Sequence, residues 1–184
     1  MKRLLILTLV LIVTLSCRRE QSAITDTAEE GTQSGAAVAA NTGSEVGSVL
    51  PAYTATLLDG SKFDLHQRRK NVVLLNLWAT WCAPCRYEIP ELQAMHEEYG
   101  SRGFEVIGVS VDEGAPEAVR EFVDEYRMTY PVVLDPEGQL ANLLETSVLP
   151  TTVLLDRDGK IVWKKFGAIE ANDPELVKAI EATL

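Results

Sequence analysis

Val72-Val73-Leu74-Leu75-Asn76-Leu77-Trp78-Ala79-Thr80-Trp81-Cys82-Ala83-Pro84-Cys85 is the stretch on which the reading of this chain turns. It opens with a dense apolar run, broken only by Asn76, whose length suits a strand buried on both faces. Two cysteines three positions apart follow, and then Ile89, Leu92, Met95 or His96, and Tyr99 recur at helical spacing up to Gly100. A separation of i to i+3 puts both sulfurs on one helical face, one turn apart and within bridging range. At a helix start, free N–H groups and the positive dipole end favour thiolate over thiol. The first cysteine is thereby a nucleophile near neutral pH. Pro84 suits a first helical turn, where its missing N–H costs nothing, while Pro90 inside the helix is expected to kink it.

Working outward, Thr54–Leu57 and Lys62–Leu65 flank Asp59-Gly60, the signal of a hairpin turn. Phe104–Val111 is a second β-branched run. Val119, Phe122, Val123 and Tyr126 fit a helix entered through Pro116, Tyr130–Leu134 suits a short strand, and Gln139–Leu144 a short helix. Thr151–Leu155 and Ile161–Phe166 flank Asp156-Arg157-Asp158-Gly159 as a second hairpin, and Asp173-Pro174 caps a final helix through Leu184. Strands alternating with helices predict an α/β domain over 47–184: a central mixed β-sheet flanked by helices, with an N-terminal β-hairpin.

The cysteine pair admits few uses. A c-type haem attachment needs His after the second cysteine, where Arg86 stands. Zinc needs further ligands, and His66 and His96 are single and wrongly spaced, so no metal or other cofactor is expected. A purely structural disulfide would close a loop too small to constrain the unfolded chain much. Redox exchange remains as the expectation. His66, in a basic loop, reads as a solvated turn, and His96 as a partly buried packing residue. Asp112-Glu113 reads as a strand end.

The strand ending at Trp78, the run Ala79-Thr80-Trp81-Cys82-Ala83-Pro84-Cys85, Glu88, Pro90 and the later Leu149-Pro150-Thr151-Thr152 resemble thioredoxin-like proteins of the TlpA/ResA type. The likeness covers roughly residues 47–184 and implies a thioredoxin-like fold. It implies that Cys82 is the exposed attacking cysteine and Cys85 the resolving one. It also implies that Pro150 is a cis-proline which packs on the disulfide and presents backbone to substrate. Two departures from ordinary thioredoxin matter. Asn76 stands in place of a buried Asp, and Glu88 matches an acidic residue of the TlpA/ResA type. At one turn past Cys85, Glu88 could accept the proton of that thiol, against the alternative of an ordinary solvated helix residue. Trp78 and Trp81 are expected to wall the disulfide, Trp81 and Leu149 to touch substrate, and Trp163 to pack on the sheet.

The third cysteine belongs to another part of the chain. Met1-Lys2-Arg3, the apolar run Leu4–Leu15 and Ser16 form a secretory signal over 1–16. The run is too short for a span of about 20 apolar residues. Leu15-Ser16-Cys17 resembles the end of a lipoprotein lipobox, which implies lipidation of Cys17 and anchorage on the extracytoplasmic face of a bacterial membrane. Residues 17–46 lack aromatic residues and sustained periodicity and read as a lipid-anchored flexible linker, with a span of roughly 30 Å.

The whole chain of 184 residues is long enough for one domain plus such a leader. Its net charge of −10, made −12 by loss of Lys2 and Arg3, argues against nucleic acid as a partner. Three cysteines are too few for a disulfide scaffold. The sequence reading is therefore a membrane-anchored thiol–disulfide oxidoreductase. Its expected partners are protein disulfides and a membrane electron carrier, and the resemblance suggests a reductant of apocytochrome c. A peroxide-reducing enzyme of the peroxiredoxin kind is the enzymatic alternative, although the Pro and Thr context of that family is absent. A copper carrier of the Sco type is the binding-protein alternative, although its cysteine spacing and distal His are not found.

Overall fold

The computed structural model describes residues 41–184. The expected signal segment, Cys17 and most of the expected linker lie outside the described residues. Seven strands form one sheet: β1 Thr54–Leu57, β2 Lys62–Asp64, β3 Val72–Trp78, β4 Phe104–Ser110, β5 Val132–Leu134, β6 Thr151–Leu155 and β7 Ile161–Phe166. Their order is β2-β1-β5-β4-β3-β6-β7. β3, β4 and β5 run parallel, while β1, β2, β6 and β7 pair antiparallel, so the sheet is mixed as expected. Four α-helices connect them: α1 Ala83–Tyr99, α2 Glu117–Glu125, α3 Gln139–Leu143 and α4 Pro174–Thr183.

Every residue of β3 is buried, and the strand's alternation divides the core in two. Val72, Leu74 and Trp78 point to a cluster that contains Ile89, Leu92 and Met95 of α1, Val119 and Phe122 of α2, and Leu176 and Ile180 of α4. Val73, Leu75 and Leu77 point to the other face, among Leu50, Tyr53, Phe63, Leu140 and Leu144. Each such side chain, fully withdrawn from water, contributes roughly 1.5–3 kcal/mol. β3 is thus held from both faces of the sheet, and the cysteine pair hangs from its C-terminal end.

The N-terminal hairpin forms with the Asp59-Gly60 turn in place. Gly60 takes the positive φ of +88°, and Asp59 Oδ1 accepts from the Ser61 N–H at 2.8 Å. α1 continues through Pro90 to Tyr99 as one helix. Folded structure is already present before the expected boundary at Gly47. Thr42 bridges Val49, Val49 bridges Lys160, and Lys164 Nζ donates to the Ser44 carbonyl at 3.0 Å. Residues 41–46 therefore fold against the β6–β7 hairpin. Small polar residues carry no period, so backbone bridging of this kind leaves no trace in the sequence. Among the described residues, no helix is long and apolar enough to cross a membrane.

Candidate active site

The chain leaves β3 at Trp78, turns through Ala79-Thr80-Trp81 and enters α1 with Cys82 as the N-cap residue. Cys82 has extended backbone angles, φ −80° and ψ 100°, and its sulfur accepts from the Cys85 N–H at 3.3 Å. Cys82 and Cys85 are joined as a disulfide with Cα atoms 5.4 Å apart. The resemblance implies an exposed Cys82. In the disulfide form it is only 5 % exposed, against 0 % for Cys85, because it packs into the cluster of Trp78, Ala79 and Leu149. The difference in access survives, but the pair is more enclosed than expected.

The turn that presents Cys82 is held from β4. In the parallel β3–β4 register Trp78 pairs with Ser110, which carries Asp112 to the level of Thr80. The Asp112 carboxylate accepts from the Thr80 N–H at 3.0 Å, from the Thr80 hydroxyl, and from the Ser110 hydroxyl at 2.7 Å. Arg86 Nη2 donates to the Thr80 carbonyl at 2.7 Å from the other side. Asp112 is therefore a clamp and not merely a strand end; the sequence signal was the equal distance of Thr80 and Asp112 from two paired strand ends. Asp112→Ala removes the acceptor of three partly buried donors, each left unmet costing about 1–3 kcal/mol at most. Urea unfolding of this variant is expected to show a loss of about 2–3 kcal/mol with the fold retained, and less for Asp112→Asn.

Pro150 follows a cis Leu149–Pro150 peptide bond, as the resemblance implies. Leu77 pairs with Thr151 across the β3–β6 ladder, so this peptide lies beside the end of β3 from which Cys82 extends. The approach is fixed by Thr151 Oγ1 donating to the Val148 carbonyl at 2.7 Å and by the Gly167 N–H donating to the Pro150 carbonyl at 2.8 Å. Trp81 is 68 % exposed and does not close over the disulfide; the buried Trp78 does the walling. Trp81 instead lines an open groove of about 300 Å³ with Leu77, Val111, Val148 and Leu149, with Glu113 and Glu137 also on its lining.

Glu88 is fully buried, which settles the choice between a solvated and an interior residue. Its Oε1 accepts from Asn76 Nδ2 at 2.8 Å and its Oε2 from the Ile169 N–H at 2.9 Å. Asn76 also donates to Thr152 Oγ1 at 2.9 Å, so its amide ties β3, β6 and α1 together without adding charge. Burial pushes the Glu88 carboxyl up from its ordinary 4.5 to about 7, against the pull of these two hydrogen bonds and the positive charge of Lys165. An Asp at position 76 would set a second carboxylate against it and raise one of the two further. Lys165 is itself paired to Asp173, the N-cap of α4, at 2.5 Å.

A disulfide at the mouth of the first long helix, one turn ahead of a buried carboxyl and beside a cis-proline, defines a thioredoxin-fold protein built for thiol–disulfide exchange. The class narrows on comparison with known proteins. The AhpC/TSA family model matches residues 46–164, and the chain belongs to this family. It is 35 % identical over 123 residues to a thiol-disulfide oxidoreductase ResA of Bacillus cereus, covering 67 % of this chain and 70 % of that protein. The ResA of Geobacillus kaustophilus is 34 % identical over 131 residues, covering 71 % and 74 %. A crystal structure from Chlorobium tepidum, of a protein proposed to be the thiol:disulfide interchange protein DsbE, superposes with a TM-score of 0.70 at 30 % identity. It covers 76 % of this chain and 97 % of that one. The chain is a thiol–disulfide oxidoreductase of this kind.

Proposed function

We propose that the protein is a lipid-anchored extracytoplasmic reductant of protein disulfides. The Cys82 thiolate attacks a substrate disulfide, forms a mixed disulfide and releases one substrate thiolate. The Cys85 thiol then gives its proton to the Glu88 carboxylate and attacks Cys82 Sγ. The second substrate thiolate leaves, and the electron pair of the Cys82–Cys85 dithiol ends on the substrate. A membrane dithiol carrier returns the pair to the reduced form. Leu149, Pro150 and Trp81 line the approach and bind the substrate chain. Apocytochrome c before haem attachment is the substrate that the resemblance suggests.

The observation that carries this reading is Glu88, wholly buried one turn past Cys85 with a carboxyl poised near pH 7. A solvent-exposed carboxylate would already be spent as a base with little driving force; this one changes state in the working range. The reduced protein is expected to convert an oxidised peptide disulfide to dithiol with one-to-one oxidation of the Cys82–Cys85 pair. Consumption of hydrogen peroxide faster than of the peptide disulfide would replace the reading with a peroxidase, and stoichiometric copper binding by the reduced pair with a redox-inert disulfide would replace it with a carrier. Anchorage is tested separately. Cys17→Ala is expected to move the protein from the membrane fraction to the soluble extracytoplasmic fraction, and continued retention in the membrane would remove the lipid anchor.

A further inference from the structure

The groove beside the cysteine pair carries charge of one sign. Trp81, Val148 and Leu149 line it together with Glu113 and Glu137, and no Lys, Arg or His lies on its lining. Cys82, Glu113 and Glu137 follow the three parallel strands β3, β4 and β5 at their C-terminal ends, where open α/β sheets bind their ligands. Both glutamates are exposed, and none of the ion pairs among the described residues includes either of them. Their neighbour Asp112 differs, since its oxygens are taken by Thr80 and Ser110. Arg86, the cation closest to the cysteines in sequence, is committed elsewhere. It donates to the Thr80 carbonyl, and its guanidinium lies 5.7 Å from the centre of the Phe122 ring. The negative charge of the groove is left for a ligand to meet.

A second observation gives the form of that ligand. Around the cis peptide the backbone groups are met in turn. The Val148 N–H donates to Thr146 Oγ1 at 3.1 Å, the Val148 carbonyl accepts from Thr151 Oγ1 at 2.7 Å, and the Pro150 carbonyl accepts from the Gly167 N–H at 2.8 Å. Between them Leu149 keeps both its N–H and its carbonyl without a partner among the described residues. A residue with both groups open can pair with an extended chain as an added strand does. Side chains of a chain so paired alternate, and those of one side face the groove. The exposed Trp81 offers its indole to the methylene stem and the cation of a long side chain.

We propose that Glu113 and Glu137 are specificity-determining residues that select protein disulfides flanked by Lys or Arg. The stem of the basic side chain lies against Trp81, and its charged end meets the two carboxylates. Leu149 pairs with the backbone beside the substrate cysteine and holds that cysteine at Cys82. The inference rests on the reading of this protein as a reductant of protein disulfides. Exposed charge pairs are weak, each worth a factor of roughly two to five, so the two carboxylates together give a preference of about tenfold. They act on encounter as well as on binding, and both effects fade as salt shortens the screening length.

The test uses the reduced protein and three oxidised peptides that differ only in the residues beside the disulfide: Lys, Gln or Glu. The second-order rate of reduction of each is divided by its rate with dithiothreitol, which removes the effect of charge on the peptide's own sulfurs. The wild type is expected to prefer the Lys peptide to the Glu peptide about tenfold at about 20 mM salt, and less than about twofold at about 0.5 M. Glu113→Gln/Glu137→Gln is expected to lose the preference. Glu113→Lys/Glu137→Lys is expected to reverse it, which a folding defect would not do. Glu121→Gln/Glu175→Gln, which removes two exposed carboxylates on α2 and α4, is expected to keep it. Equal normalised rates for the three peptides in the wild type would overturn the inference and leave disulfide reduction standing. A preference lost equally in the α2–α4 variant would also overturn it, by assigning the effect to the net charge of the whole protein. Reduction of none of the peptides would remove the reading on which the inference rests, and the inference with it.

Discussion

Cys82→Ser is expected to abolish disulfide exchange, a loss of about a thousandfold or more, while Cys85→Ser loses turnover yet accumulates a mixed disulfide on Cys82. The asymmetry follows from position. Cys82 is the N-cap of α1, where the first-turn N–H groups converge, and its sulfur already accepts one from Cys85. Cys85 lies one turn inside the helix, is fully buried, and reaches only a sulfur brought to Cys82. Mass spectrometry of each variant after incubation with an oxidised peptide reads the outcome. An adduct on Cys85 in the Cys82→Ser protein, at the rate seen for Cys82, would reverse the assignment.

Glu88→Gln is expected to produce the next largest effect, about a hundredfold on the resolving step above pH 7, and to erase its pH dependence. In the wild type the step should rise with pH through about 7 as the carboxyl ionises and becomes able to take the Cys85 proton. The same shift has a consequence for stability. The native state holds its Glu88 proton more tightly than the unfolded chain does. Stability is therefore highest below the ordinary value of 4.5, falls as pH rises from there to about 7, and is level beyond it. The total fall amounts to roughly 3 kcal/mol. Urea unfolding of the oxidised protein at a series of pH values should show this decline, and Glu88→Gln should lack it. Its amide also meets two donors, a constant cost at every pH, so the slope and not the absolute stability carries the test.

What the sequence reveals of this molecule depends on how local each cause is. The strand, the cysteine pair and the helix are adjacent, and their apolar periods and turn residues state the β3–α1 junction directly. The two hairpins and the capped last helix carry equally local signals. Glu88 stands out as a candidate by its spacing from Cys85, but its burial comes from Ile169 and Asn76, which only the fold brings to it. Asp112 reads as a mere strand end because its partners, Thr80 and Ser110, meet it through the parallel register of β3 and β4 and not through any motif. Trp81 and Trp78 look alike in the sequence, yet β3 ends between them, so one is sealed in the core and the other stands over the groove. The cis Leu149–Pro150 bond follows from resemblance alone, since most X–Pro bonds are trans. His96 reads as a packing residue and Tyr130 as the start of a short strand, because an unmet polar atom is a property of the packed interior.

All of this chemistry requires that Cys82 and Cys85 form a reversible two-electron couple in the folded protein. Its most direct test is equilibration of the protein in thiol–disulfide buffers of graded potential, followed by acid quench, alkylation and counting of free thiols by mass. One transition is expected in which both cysteines change together, with a tenfold change in ratio for about 30 mV, and a native fold on either side. A pair that stays oxidised until the protein unfolds, or two thiols that titrate separately, would contradict it.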